Sequence, residues 1–179
     1  EEIYLPIKDI LPILNLSEVE VTGWDISKSN MAEAMARAEV FDYDLQQKLI
    51  PYMKEIIPLP GIYYPEFIAS NQSDRTDNIL SSENKAEHLE IIRQNIRDFK
   101  SKFNLDKVII LWTANTEKMC QISEGIHDTA ENILKAIKIN HPEISPSTIY
   151  ATASILENCS FINGSPQNTI VSGLSELAS

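Results

Sequence analysis

An α/β fold is predicted by the order of elements along this chain, which reads strand, helix, strand, helix, helix, strand. Two polar stretches point the same way. Residues 111–117 (LWTANTE) and 161–168 (FINGSPQN) each continue an apolar run with the character of a buried strand. Each is crowded with small hydrogen-bonding side chains. In an open α/β sheet, ligands sit beyond the carboxyl ends of the strands, so such segments mark a binding edge. A third segment of this kind is Gly23-Trp24-Asp25-Ile26.

The elements follow from local pattern. Pro6 and Pro12 break up the opening segment into a short helix or capping turn. Residues 18–22 (EVEVT) alternate polar and apolar side chains before Gly23, which predicts a strand ending there. Residues 29–49 are rich in Ala, Met and Leu and predict one long helix or two consecutive ones. Pro51, Pro58, Pro60, Gly61 and Pro65 then mark an irregular connection around Ile62-Tyr63-Tyr64. Over 84–103 the apolar residues Leu89, Ile92, Ile96, Phe99 and Phe103 step by three and four, predicting an amphipathic helix. Residues 108–112 are β-branched and apolar and predict a fully buried strand. A second amphipathic helix is predicted over 128–138 through Ala130, Ile133, Leu134 and Ile137. Ser145-Pro146 supplies an N-cap and a first-turn proline for a helix over 148–157, and Phe161-Ile162 is a short apolar run before NGSPQN.

At 179 residues, with 43% hydrophobic and 23% charged side chains, the chain suits one globular domain with a full core. It contains no apolar run near the roughly 20 residues of a membrane span. It lacks a signal-peptide pattern and an initiating Met, so it is expected to begin inside a larger, cytoplasmic protein. A formal charge of −11 argues against nucleic-acid and anionic-membrane partners, which it would repel. Cys120 and Cys159 have no CxxC or zinc-like spacing and are expected as reduced thiols; no metal site is expected.

Each candidate ligand residue has a structural alternative. Asp25, after a strand and Gly23-Trp24, is placed to accept both hydroxyls of a ribose, or to N-cap the next helix. Thr113, Ala114, Asn115 and Thr116 let backbone N–H groups approach a phosphate or ring, or form a strand-to-helix turn with its cap. In NGSPQN, Gly164 is able to take positive φ, Pro166 stiffens the loop and the amides offer donors and acceptors. The alternative there is a plain turn. The five glycines (23, 61, 125, 164, 173) form neither a G-x-G-x-x-G loop nor a P-loop. His88, His127 and His141 are expected at the surface or as caps. The acidic residues Glu117, Glu124, Asp128 and Glu131 are expected on solvated helix faces.

Taken in order, GWDIS at 23–27, MAEAMARAEVFDYDLQQKL at 31–49, PGIYYPEFIASNQ at 60–72, LWTANTEK at 111–118, DTAEN at 128–132, SPSTIYATASILE at 145–157 and FINGSPQNT at 161–169 resemble the myo-inositol-1-phosphate synthase (inositol-3-phosphate synthase) family. The resemblance covers nearly the whole chain. It implies a Rossmann-like NAD-binding domain, incomplete at its N-terminus, over 1–160, and the start of a second α+β catalytic and tetramerisation domain over 161–179.

The resemblance further implies an NAD-dependent isomerase of inositol biosynthesis acting on D-glucose 6-phosphate. Bound NAD⁺ oxidises C5, enolisation and an aldol closure between C6 and C1 follow, and the same NADH reduces the ring ketone to give 1D-myo-inositol 3-phosphate. The dinucleotide is thus retained rather than consumed. By resemblance Asp25 lies on the adenosine ribose, Gly61, Ile62, Gln72 and Arg75 at the adenine half, and Thr113, Ala114, Asn115 and Thr116 along the cofactor. Gly164 and Ser165 approach the nicotinamide and the sugar. For Arg75, an ion pair with Asp74 or Asp77 is the alternative.

The family's glycine-rich loop falls upstream of residue 1 and its catalytic lysines downstream of Ser179, so the catalytic residues are expected outside this chain, which alone is expected to be inactive. Lys118 for the usual Arg, and Ile170 and Ser172 in the NTFVPG ending, are smaller departures. The whole protein is expected to be a cytosolic homotetramer. A non-catalytic nucleotide-binding or interaction module of the same fold, and an ordinary NAD dehydrogenase, are the competing classes.

Overall fold

The structure, a computed structural model, describes Leu11 and residues 13–179, so most of the opening segment with Pro6 and Pro12 lies outside the described residues. After a 3₁₀ turn at Leu16–Glu18 come β1 (Trp24–Asp25), α1 (Met31–Ala38), α2 (Tyr43–Met53), β2 (Leu59–Pro60) and a 3₁₀ segment at Ser70–Arg75. There follow α3 (Lys85–Lys102), β3 (Ile109–Trp112), α4 (Ala130–Lys138), α5 (Pro146–Leu156), β4 (Ser160–Asn163) and α6 (Ser172–Leu177). β1 pairs with β2 and β3 with β4, both in parallel. Parallel strands separated by helices are the α/β arrangement expected.

The helix boundaries are set by their caps. Asn30 caps α1 in a capping box with Glu33, Asp42 caps α2, and Asn84, Thr129 and Ser145 cap α3, α4 and α5, with Pro146 at the first helical position. At the other ends Asn104, Asn140 and Asn158 all take positive φ. The N–H groups of Leu105, His141 and Cys159 then close back onto Lys100, Ala136 and Ser154. Asparagine is the side chain that tolerates this left-handed position best after glycine.

α5 is the centre of the core. Every residue from 146 to 154 is buried, although four of these are Ser or Thr. Two of these hydroxyls are satisfied within the helix: Thr152 donates to the Thr148 carbonyl at 2.7 Å and Ser154 to that of Tyr150 at 2.7 Å. α3 packs on α5 through Leu89, Ile92 and Ile96, and α4 on α6 through Ile133 and Ile137. Gly173 in α6 permits that second contact. A Cβ there would lie 2.7 Å from the Thr129 carbonyl carbon and closer still to its oxygen. Gly173→Ala is therefore expected to lower stability by about 1–3 kcal/mol through overpacking against backbone, measured by denaturant titration.

Two expectations change. The strand expected over 18–22 does not form: Glu18 ends the 3₁₀ turn, Val19 and Val21 are exposed, and the ladder begins where the Gly23 carbonyl accepts the Leu59 N–H and Trp24 pairs with Leu59. The strand over 108–112 is not fully buried. Ile110, Trp112 and Phe161 face the core, whereas Ile109, Leu111 and Ile162 are 62%, 57% and 49% exposed. One face of the β3–β4 ladder is covered by helices and the other is open among the described residues. No described helix is long and apolar enough to cross a membrane.

Candidate functional site

Because β3 and β4 are parallel and in register, Trp112 opposite Asn163, their carboxyl ends lie together and the polar stretches leave side by side. The Gly164 N–H extends the ladder to the Trp112 carbonyl at 2.9 Å. Gly164 does not take the positive φ anticipated for it. Its requirement is proximity instead, since a Cβ would sit 3.0 Å from that same carbonyl oxygen. Asn163 folds the loop by accepting from the Ser165 N–H at 3.1 Å and donating to the Gln167 carbonyl at 2.8 Å.

The two stretches are then laced together. Gln167 donates to the Ala114 carbonyl at 2.6 Å. Asn168 accepts from the Cys120 N–H at 3.1 Å and donates to the Cys120 carbonyl at 3.0 Å. Thr113, Ala114, Asn115 and Thr116 are exposed and outside regular structure, and their side chains make no hydrogen bond among the described residues. No helix begins until Ala130, so they cap nothing.

Asp25 ends β1 and is exposed. It does not cap α1, a role held by Asn30; one carboxylate oxygen accepts from the Ser27 N–H at 2.8 Å. Gly61 follows β2 and is pressed against the neighbouring strand, with its missing Cβ 3.0 Å from the Asp25 carbonyl carbon and the Ile26 nitrogen. Its N–H and carbonyl bond to Asn78 and Leu80, so the glycine lets three chain segments meet. The Ile62 side chain is in the core, and its N–H donates to the Tyr150 hydroxyl at 3.2 Å. Gln72 and Arg75 lie on the 3₁₀ segment. Arg75 forms no ion pair among the described residues; Asp77 pairs with Lys28 at 3.3 Å.

Three further expectations are corrected. Glu117 is 7% exposed rather than on a solvated helix face, and it accepts from both the Ser147 N–H, at 2.9 Å, and the Ser147 hydroxyl. His88 and His127 are buried, not at the surface. His88 Nδ1 meets the Tyr64 hydroxyl and its Nε2 the Ser82 carbonyl; His127 accepts from the Ser123 N–H and reaches the Glu143 carbonyl. Burial lowers the His88 pKa and raises that of Glu117, whose hydrogen bonds from Ser147 pull it back.

The family model described as "Myo-inositol-1-phosphate synthase", an NAD-binding domain, matches residues 1–179. The chain belongs to the myo-inositol-1-phosphate synthase family. It is 55% identical over 177 residues to inositol-3-phosphate synthase 1-B of Xenopus laevis, covering 99% of this chain and 31% of that protein. It is 52% identical over 178 residues to the human inositol-3-phosphate synthase 1, again over 99% of this chain, and 32% of the relative. A crystal structure of the Caenorhabditis elegans inositol-3-phosphate synthase superposes with a TM-score of 0.96 at 55% identity, over 99% of this chain and 35% of that one. The chain thus spans about a third of the length of the relatives it matches, and its fold is the Rossmann-like α/β fold of the family's NAD-binding domain.

Unsatisfied polar atoms test whether the synthase-family residues fit a dinucleotide. The buried atoms Trp112 Nε1, Ser165 Oγ and Gln167 Oε1 have no hydrogen-bond partner among the described residues, and neither does Arg75 Nε. Buried polar atoms are nearly always paired, and three of these stand at or just beyond the ends of β3 and β4, where a polar ligand would pair them. Two of these atoms are donors, one is an acceptor and the hydroxyl is both, which matches the ribose hydroxyls, phosphates and carboxamide of NAD. Sequence reasoning counted Gln167 only among the amides of NGSPQN and gave Trp112 no role, although it stands inside the first polar stretch.

Proposed function

We propose that the intact protein isomerises D-glucose 6-phosphate to 1D-myo-inositol 3-phosphate with retained NAD, and that this chain supplies much of the cofactor site. The observation that carries the reading is the family match along all 179 residues, joined to inositol-3-phosphate synthases as relatives. NAD would supply a hydride acceptor that is restored within each turnover. Asp25 binds the adenosine ribose through its exposed carboxylate. Gly61, Ile62, Gln72 and Arg75 surround the adenine half. Residues 113–116 offer backbone and hydroxyl groups along the cofactor, and Gly164 and Ser165 lie at its reactive end beside the sugar. Residues 1–160 belong to the NAD-binding domain and 161–179 lead into a catalytic domain that supplies the reacting lysines and the tetramer contacts. The protein works in the cytoplasm.

The test is conversion of glucose 6-phosphate by the intact protein, followed as inositol phosphate formed, with NADH absorbance recorded. Product with no net NADH is the expected result. Net NADH would instead indicate a dehydrogenase, and NAD binding without product a non-catalytic module. Asp25→Ala is expected to weaken NAD binding roughly tenfold, the worth of one charge-assisted hydrogen-bonded contact, as read by calorimetry.

A further inference from the structure

Glu117 lies where the segments of the proposed cofactor site converge. Its own backbone follows Thr113–Thr116 directly and bridges Ile68, while the next N–H, that of Lys118, donates to the Phe67 carbonyl at 2.7 Å. This holds the chain that descends from Gly61 and Ile62. Its carboxylate takes the Ser147 N–H and hydroxyl at the start of α5, the buried central helix. The Ser147 oxygen in turn accepts from the Thr169 hydroxyl at 2.8 Å, and Thr169, 2% exposed, closes the NGSPQNT stretch.

We propose that the buried chain Thr169–Ser147–Glu117 is a positioning device that sets residues 113–116 and 164–168 in register for the cofactor. The inference rests on the NAD-binding role proposed for these two stretches. Three properties support it. All three side chains are buried, so water does not compete for their hydrogen bonds. The direct bonds between the stretches, from Gln167 and Asn168, fasten their tips and flanks, whereas among the hydrogen bonds of the described residues it is this chain that ties both to the core helix. A carboxylate is suited to the task because it accepts twice. The carboxamide of a glutamine could accept only on one side, and Ser147 presents two donors to it, its N–H and its hydroxyl.

The experiment compares Glu117→Gln, Thr169→Val and Thr169→Ser in the intact protein, by NAD titration well below the melting temperature and by hydrogen exchange of the amides at 113–116 and 164–168. Glu117→Gln is expected to weaken NAD binding roughly ten- to a hundredfold, since it leaves one of the two buried Ser147 donors without an acceptor. Thr169→Val keeps the side-chain shape, and is expected to weaken binding several-fold and speed exchange in both stretches, with Thr169→Ser restoring both. Should Glu117→Gln fail to fold, the Thr169 pair decides alone. Folded variants that melt lower yet bind NAD as the wild type does would overturn the proposal and leave a structural role only. A wild type that fails to bind NAD would sink the cofactor reading. Faster exchange in both stretches of Thr169→Val would still support the coupling, and unchanged exchange would refute it.

Discussion

Replacing Lys85 with Met is expected to lower the stability of the fold by about 2–4 kcal/mol, or a drop in melting temperature on the order of 10 °C for a domain of this size. Lys85 is 4% exposed, at the first position of α3. Its ammonium donates to the His141 carbonyl at 2.7 Å and the Ile144 carbonyl at 2.9 Å, with Pro142's at 3.4 Å. These carbonyls belong to the turn between α4 and α5, and the same ammonium stands 4.7 Å above the Tyr64 ring. Methionine keeps the apolar stem and loses the donors, so the cost isolates buried acceptors left without partners.

The dependence on pH follows from the same burial. Desolvation holds the Lys85 pKa below its usual value, while the charges of Glu66 and Glu143 oppose the shift. In the unfolded chain lysine titrates near about 10.4. Between the lowered folded value and that one, the unfolded state binds more protons, so Lys85 contributes more stability as pH rises. The gap between the wild type and Lys85→Met should therefore widen through this window when denaturation is measured at successive pH values. A gap that narrows would mean that the charged form is the one the fold prefers.

Tyr150→Ala should be at least as damaging, at about 3–5 kcal/mol, because the ring fills the space between the two sheets. Its centroid is 5.2 Å from that of Trp24, in β1, and 5.4 Å from that of Trp112, in β3. Its hydroxyl accepts the Ile62 N–H just beyond β2. Tyr150→Phe retains the ring contacts and loses that one bond, which predicts a loss of only about 1 kcal/mol. Trp24 and Trp112 are the two tryptophans of the chain, so intrinsic fluorescence reads this contact directly. The Ala variant should change the emission of the folded protein and the Phe variant leave it nearly unchanged. Equal stability losses in the two would mean that the hydroxyl, not the ring, joins the sheets.

Much of the local architecture was legible. The three- and four-residue steps of Leu89, Ile92, Ile96 and Phe99 foretold α3 to within a residue or two, and Ser145-Pro146 foretold the start of α5, because periodicity and capping act over a few residues. The position of the two polar stretches was legible too, since small polar side chains after an apolar run suit the ends of parallel strands, and both leave the carboxyl ends of β3 and β4. The strand expected over 18–22 failed for the complementary reason. Alternation creates a strand only where a partner strand exists, and none stands there among the described residues.

Composition, periodicity and the quoted motifs determined by themselves the α/β class, most helix boundaries and the synthase family with its NAD domain. Only the tertiary structure decided what the buried polar residues do. Glu117 looked like one more solvated acid until Ser147, 30 residues away, was seen to meet its carboxylate. Lys85, which no sequence pattern singled out, is buried by a turn 56 residues on that closes over it. Gly61 and Gly164 looked like loop and turn residues until backbone proved to stand 3.0 Å from where a Cβ would lie at each. The cost of burying a polar group depends on the partner it finds, and partners far apart in sequence are chosen by the packing of the whole domain.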